Sequence, residues 1–277
     1  VRLARLLSTN GADPRLNYSY SLDPELRKLL GFGPPLDDSG PSLNVQELEF
    51  PGEQEKNTGT DDRRSRLGRF LLPQAWAQKS SPGTADQFKQ WITPAKDPEL
   101  YVRKVRTLLN EAADKILSVQ PLTADFNSFF RLLVAATAWQ ESCWRQFIVR
   151  EGKLRYLLSY NQTSVGLMQI NERVWRGIYR VESLRWNIAY NVKAGTEILH
   201  HYLRNFTLKD IKPANPADLD TVARVTYAIY NGGPGESTKY FKRGSADRFY
   251  KSDRLFWEKY TAAKEENFDL LTLCVSG

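Results

Sequence analysis

The stretch that most constrains the fold is a helix with almost no polar face. The residues from about Ala124 to Trp144 predict a helix, and between Leu132 and Trp139 the only polar side chain is Thr137. A surface helix needs a polar face, so a helix that is apolar nearly all round is typical of the middle of a domain. The rest of the fold must therefore cover this helix.

Helical periodicity begins near residue 96. Asp97-Pro98 predicts a helix start, and the apolar spacing that follows runs to about Val119. Further helices are expected over about 187–205, 219–230 and 254–267, and a small hairpin over 147–159 with its turn at 151–153. The sequence therefore predicts an α+β fold that is mostly α.

The N-terminal third differs in composition. Residues 1–95 are rich in Pro, Gly, Ser and Asp and predict a loop-rich accessory segment that wraps over a main domain at 96–277. One short helix is expected from Asp23 to Leu30, with Pro24 at its first position. Val1 to Leu7 is too short for a signal peptide and lacks an initiator Met, so a processed or truncated chain is expected.

The charge limits the classes of partner. A net charge of +7 favours nucleic acid, an anionic membrane face or an acidic cell-wall polymer. The sequence has no zinc-finger spacing, no RNP-type aromatic motif and no block of five or more Lys/Arg residues, which argues against nucleic acid. The two histidines, His200 and His201, point about 100° apart on a helix. No metal site is expected.

A carboxylate stands at the end of the apolar helix. Glu141 lies in Trp139-Gln140-Glu141-Ser142-Cys143-Trp144. A carboxylate in such a setting is costly unless it faces a cleft or a partner. Partial desolvation would raise its pKa, as a general acid requires. The alternative is a buried Glu paired with one of the many arginines.

Two further motifs place amides and a phenol near loops. Ser164 to Asn171 reads Ser-Val-Gly-Leu-Met-Gln-Ile-Asn and holds Met168, the only methionine, and Gln169. Ala228 to Gly235 reads Ala-Ile-Tyr-Asn-Gly-Gly-Pro-Gly, with Tyr230 and Asn231 on the last helical turn. Taken alone, the first is an ordinary turn and the second a simple helix end.

In this order and spacing, the three motifs resemble the catalytic domain of the Slt-type family 1 lytic transglycosylases, relatives of goose-type lysozyme. The likeness covers about residues 120–245 and includes the helix with Asn187-Ile188 and Gly195. It implies a lysozyme-like fold with Glu141 as the single catalytic acid/base. It also implies that Ser142, Met168, Gln169, Tyr230 and Asn231 line the sugar groove, with the Tyr230 hydroxyl near Glu141.

Two places depart from the family pattern. Where the family often has Ser-x-x-Gly-Ala, this chain has Tyr160, Thr163 and Ser164, and Cys143-Trp144 follow Glu-Ser. These differences affect the shape of the groove rather than the identity of the acid.

The resemblance implies cleavage of peptidoglycan glycan strands between N-acetylmuramic acid and N-acetylglucosamine, with a 1,6-anhydro product and no cofactor. Glu151, Glu172 and Glu182 are expected to be solvated, so one carboxylate would act alone. The alternatives are a hydrolytic muramidase on the same fold and a non-catalytic wall-binding protein. A wall-cleaving enzyme would be periplasmic or part of the cell envelope.

The two cysteines leave a choice open. Cys143 follows the central helix, and Cys274 lies in the apolar tail Leu270 to Val275. A bridge between them would attach this tail to the domain, in a compartment where disulfides persist. The alternative is two separate thiols, with Cys143 buried as a small apolar side chain.

Overall fold

The computed structural model describes residues 22–38, 91–92, 97–123, 126–150, 152–211, 216–242 and 251–276. Within these ranges the chain is mostly helical, with two short antiparallel strand pairs. This confirms the α+β, mostly α, class that the sequence predicts.

The helices are introduced here in chain order. They are α1 (Pro24–Leu29), α2 (Pro98–Val119), α3 (Phe126–Ser142), α4 (Glu172–Trp175), α5 (Val181–Trp186), α6 (Ile188–Tyr202), α7 (Leu208–Asp210), α8 (Pro216–Gly232), α9 (Gly235–Lys242), α10 (Lys251–Lys264) and α11 (Asp269–Ser276). A π-helical turn, Leu203–Thr207, joins α6 to α7.

Helix α3 is the centre of the core. Every side chain from Leu133 to Trp139 is buried, including the predicted lone polar residue Thr137. The helix packs against α2, α6, α8 and α10, which together supply the surrounding layer that its apolar surface requires. The prediction of a buried central helix is confirmed.

Helix α2 begins and ends where the sequence predicts. The Asp97 side chain accepts a hydrogen bond from the Leu100 amide at 2.8 Å, and Pro98 occupies the first helical position. Asn187 caps α6 in the same way, since its side-chain oxygen accepts from the Tyr190 amide at 3.0 Å.

The strands form two small pairs. In the predicted hairpin, β1 (Phe147–Arg150) pairs with β2 (Lys153–Tyr156). Its turn includes Gly152 at a φ of 67°, and Glu151 lies outside the described residues. The second pair, β3 (Ser164–Val165) with β4 (Ile170–Asn171), was not predicted, because two residues per strand leave no alternating pattern to detect.

The described part of the N-terminal segment packs on the domain. Helix α1 presents Arg27, which is buried and donates to both carboxylate oxygens of Glu197 on α6 at 3.0 Å. Phe32 joins the main hydrophobic core. The accessory segment and its boundary at residue 95 stay predictions, since most of 1–95 lies outside the described residues.

The C-terminal tail forms helix α11. Leu271 and Val275 of α11 are buried, and Cys274 forms a disulfide with Cys143, with 5.8 Å between their Cα atoms. Of the two arrangements that the sequence left open, the structure has the bridge. Among the described helices, none is both long and apolar enough to cross a membrane.

Candidate active site

Helix α3 ends directly after Glu141 and Ser142. The next two residues, Cys143 and Trp144, have left-handed backbones with φ of 54° and 58°, which stops the helix. Trp144 is held by two hydrogen bonds: its indole donates to the Ala135 carbonyl at 2.9 Å, and the Tyr101 hydroxyl donates to its carbonyl at 2.7 Å. This fixed turn keeps Glu141 in the last turn of a rigid, buried helix.

The Glu141 carboxylate faces an open cleft of about 280 Å³. The described residues that line it are mainly polar and lie on α3, α4, α6, α8 and the loops around β3 and β4: Glu141, Ser159, Asn161, Thr163, Ser164, Gln169, Ile170, Asn171, Trp175, Ile198, Tyr230 and Asn231. Glu141 is the only carboxylate in this set. Hydroxyl and amide groups make up most of the rest, as a sugar-binding surface requires.

Burial sets the proton affinity of Glu141. Desolvation raises the pKa of the carboxyl group to about 7, and a hydrogen bond from Tyr227 only partly offsets this. No Lys or Arg among the described residues forms an ion pair with Glu141, so the alternative of a buried Glu–Arg pair does not describe this site. The carboxyl group can therefore exist in both acid and base forms near neutral pH.

The tyrosine that contacts Glu141 is Tyr227, not Tyr230. The Tyr227 hydroxyl donates to Glu141 Oε1 at 3.0 Å, whereas the Tyr230 hydroxyl donates to the Met168 carbonyl at 2.7 Å. The two tyrosines are one turn apart on the same face of α8. Burial, and after it the nearby Glu141 carboxylate, raises the pKa of the Tyr230 phenol, but the hydrogen bond to the carboxylate comes from Tyr227. Tyr230 still lines the cleft.

The loop between β3 and β4 is held by two buried amides. Gln146 Oε1 accepts from the Leu167 amide and Asn191 Oδ1 accepts from the Met168 amide, both at 2.8 Å. Gly166 has a φ of 76°, and any Cβ there would overlap the Gln146 and Asn191 side chains. Sequence reasoning missed both amides; the one available signal was that Asn191 lies one helical turn from Asn187 and Gly195.

Two residues predicted to line the groove lie behind it instead. Ser142 is buried, and its hydroxyl donates to the Leu167 carbonyl at 2.6 Å. Met168 is fully buried against Gly195, where a Cβ would overlap the Met168 side chain. Their burial means that they position the loop rather than face the cleft.

Three predicted groove residues do line the cleft, namely Gln169, Tyr230 and Asn231. The Gln169 backbone is left-handed, with a φ of 47°, and its side-chain amide donates to the Gly166 carbonyl at 2.7 Å. Asn231 is exposed at the end of α8. That their polar groups contact a sugar stays a prediction.

The other carboxylates near this face are engaged elsewhere. Glu172 was expected to be solvated, but both of its oxygens accept from Arg185 at 2.8 Å in a half-buried pair. Glu182 is exposed and also pairs with Arg185. Glu151 lies outside the described residues.

Part of the chain, including the cleft, matches the model of a known protein family. A family model described as the transglycosylase SLT domain matches residues 127–252. Residues 127–252 are thus similar to a transglycosylase SLT domain. The matched region runs from α3 through the loop between β3 and β4 to the start of α10, so it includes every cleft residue named above.

The SLT domain indicates an enzyme of the transglycosylase or lysozyme-like kind that cleaves peptidoglycan. No curated protein and no solved structure matches the chain.

Proposed function

We propose that this protein is a peptidoglycan lytic transglycosylase that uses Glu141 as its single acid/base. The observation that carries the proposal is the Glu141 carboxyl group, which has a pKa of about 7 and lies in the last turn of a buried helix. It faces a polar cleft and is the one carboxyl group among the described residues that line it. Such a group can donate a proton in one step and accept one in the next.

The reaction begins when Glu141 protonates the oxygen that links N-acetylmuramic acid to N-acetylglucosamine. The C1–O bond breaks, and the 2-acetamido group of the muramic sugar traps the positive charge at C1. Glu141, now a carboxylate, takes the proton of the C6 hydroxyl, and the C6 oxygen closes the 1,6-anhydro ring at C1. The proton is returned to Glu141, so no water is consumed.

This route explains how one carboxylate suffices. Most glycosidases use two carboxyl groups on opposite sides of the bond. Here the 2-acetamido group of the substrate performs the task of the second, and the reaction requires no cofactor. The polar side chains of Gln169 and Asn231 are proposed to bind the sugar hydroxyl and acetamido groups.

The proposed site of action is the periplasm or cell envelope, where peptidoglycan lies. The Cys143–Cys274 disulfide supports this, because such bonds persist in oxidising compartments. The net charge of +7 also suits a polymer whose stem peptides are anionic.

Product analysis tests the proposal directly. Purified sacculi digested with the protein are expected to release fragments ending in 1,6-anhydro-N-acetylmuramic acid, identified by mass because they lack one water. Fragments with reducing muramic ends would show a muramidase instead. The absence of any cleavage by folded protein would favour a wall-binding role.

The activity is expected to fall as pH rises through about 7, because the acid form of Glu141 is then lost. The measurement is kcat/KM against pH, which reports the free enzyme. Neither histidine explains such a limb, since burial lowers the pKa of His200 to about 4 and also lowers that of His201. A rate that stays flat from mildly acidic to alkaline pH would contradict the assignment.

A further inference from the structure

The cleft that holds Glu141 also contains a tryptophan that the family motifs do not include. Trp175 is the last residue of α4 and lines the cleft. Its side chain is half-buried, whereas the two aliphatic residues of the lining, Ile170 and Ile198, are each only 2% exposed. Trp175 therefore offers a ligand an apolar surface that these isoleucines cannot offer.

Three aromatic rings fix the position of the indole. Phe32 and Tyr202 lie edge-on to it, with ring centroids 5.9 Å and 6.2 Å away, and Tyr179 is tilted at 6.1 Å. Edge contacts of this kind are favoured arrangements for aromatic pairs. None of the three rings lies parallel to the indole, so none of them takes the stacked position that a sugar ring would occupy.

The polar end of the indole is also available. The Trp144 indole donates to the Ala135 carbonyl at 2.9 Å, but the Trp175 indole has no such acceptor among the described residues. An indole N–H that lines a cleft usually finds a hydrogen-bond partner. A hydroxyl or acetamido oxygen of a bound sugar would supply one.

The edge-on Phe32 belongs to the N-terminal segment, outside the residues 127–252 that the family model matches. Arg27 fastens this segment beside the cleft. It donates to the Ile178 carbonyl at 3.1 Å and pairs with Glu197 at 3.0 Å. Its guanidinium carbon also lies 5.5 Å from the centre of the Phe32 ring. The segment thus supports the wall of the cleft that Trp175 forms.

We propose that Trp175 is a sugar-binding residue on which the apolar face of an N-acetylated pyranose packs, and that Phe32 is the positioning residue that holds its ring. A pyranose presents C–H groups on its faces and hydroxyl groups at its edge. Packing on the indole removes the C–H face from water, while the polar lining of the cleft meets the edge. This inference rests on the proposed function, because it takes the sugars of peptidoglycan as the ligand.

Loss of the indole should weaken binding and leave the chemical step nearly unchanged. A side chain that binds the sugar equally in the ground state and the transition state changes KM rather than kcat. Trp175→Leu is expected to raise KM for soluble glycan strands about tenfold, with kcat within about twofold of the wild-type value. Trp175→Phe keeps a smaller ring and should raise KM only about threefold.

Trp186→Leu is the matched control. Trp186 is also half-buried among aromatic rings, with Tyr156 at 5.0 Å and Phe147 at 6.1 Å, but it is not among the residues that line the cleft. A general loss of stability would affect both leucine variants. A raised KM is expected only for Trp175→Leu.

Phe32→Leu tests the support from the N-terminal segment. Leucine fills part of the space but has no ring edge to hold the indole, so sugar affinity should fall about threefold. Combined with Trp175→Leu, it should cause no further loss of affinity, because Phe32 acts only through the indole. An equal loss in both backgrounds would reject Phe32 as the positioning residue.

The direct test is binding of the linear tetramer of N-acetylglucosamine to the full chain carrying Glu141→Gln. Calorimetry should give a Kd roughly tenfold higher when Trp175→Leu is added. The Trp175 indole N–H resonance, identified by its loss in Trp175→Phe, should shift as the tetramer saturates the protein. This second measurement is made on the intact indole and does not depend on how Trp175→Leu folds.

Three results would each overturn the inference: no binding of the tetramer, an unchanged Kd in a cooperatively folded Trp175→Leu protein, or a Trp175 resonance that does not move. Because the binding assay requires no turnover, it is independent of the reaction. Failure of the proposed function would be seen separately, as activity retained by Glu141→Gln.

Discussion

Glu141→Gln is expected to lower turnover at least about a thousandfold, in line with the loss of a general acid that has no substitute. The amide has the size of the carboxyl group and can still accept from Tyr227, which lies 3.0 Å from Oε1. What it lacks is a proton to transfer to the glycosidic oxygen and a base to take one back. The measurement is release of soluble fragments from sacculi.

The same substitution should leave the fold intact and stabilise it at alkaline pH. The wild-type pKa is raised from 4.5 to about 7, so the native state loses stability as pH rises through that interval and the buried carboxylate ionises. Gln has no charge to desolvate. By linkage, the difference in the free energy of unfolding should reach on the order of 3 kcal/mol above this interval and vanish below it.

Glu182→Gln is the matched control for activity. Glu182 is an exposed carboxylate that pairs with Arg185 outside the cleft, so its loss should change turnover by no more than about twofold. A Glu141→Gln protein that keeps a tenth of the wild-type activity would reject Glu141 as the acid.

The parts of the fold that the sequence predicted are those with long patterns. The buried α3 follows from an apolar run, and the start of α2 from Asp97-Pro98. The short helices α4, α5 and α9 were not predicted, because four to eight residues are too few to establish a helical period. Their positions depend on packing against larger elements.

The candidate site was predicted as a set of motifs, but the sequence did not indicate that Tyr227 is the residue whose hydroxyl donates to Glu141. Tyr227 and Tyr230 differ by one helical turn, and no spacing rule tells which phenol reaches Glu141. That distinction depends on where α8 crosses α3. The roles of Gln146 and Asn191 were not predicted for a similar reason. Their side chains bind the loop between β3 and β4, and the sequence does not reveal where that loop lies.

The links around Glu141 come from segments far apart in the sequence. Tyr101, on helix α2, donates to the Trp144 carbonyl. Near the end of the chain, Lys259 donates to Gln140 and Cys274 is bridged to Cys143. A sequence pattern indicates Glu141 as the proposed acid, but the groups that surround it are known only from the tertiary structure. The disulfide is the clearest case, because both the bridged and the free-thiol states were compatible with the sequence.

Loss of the Cys143–Cys274 bridge is expected to destabilise the protein strongly. The bridge closes a loop spanning 131 residues, for which chain entropy gives about 5 kcal/mol of stabilisation at most. It attaches α11, whose buried Leu271 and Val275 pack on the core. Cys274→Ser should therefore lower the melting temperature by up to roughly 10–20 °C for a domain of this size.

The effect should also reach the active site, because Cys143 lies two residues after Glu141 in a left-handed conformation that only a well-determined environment maintains. Cys143→Ser and Cys274→Ser are expected to destabilise to a similar extent, and a reductant should lower wild-type stability while leaving both variants unchanged. Leu273→Ser serves as the control, since Leu273 is 71% exposed on the same helix. Thiol counting after denaturation decides the premise: two free thiols in protein prepared under oxidising conditions would mean that α11 is held by packing alone.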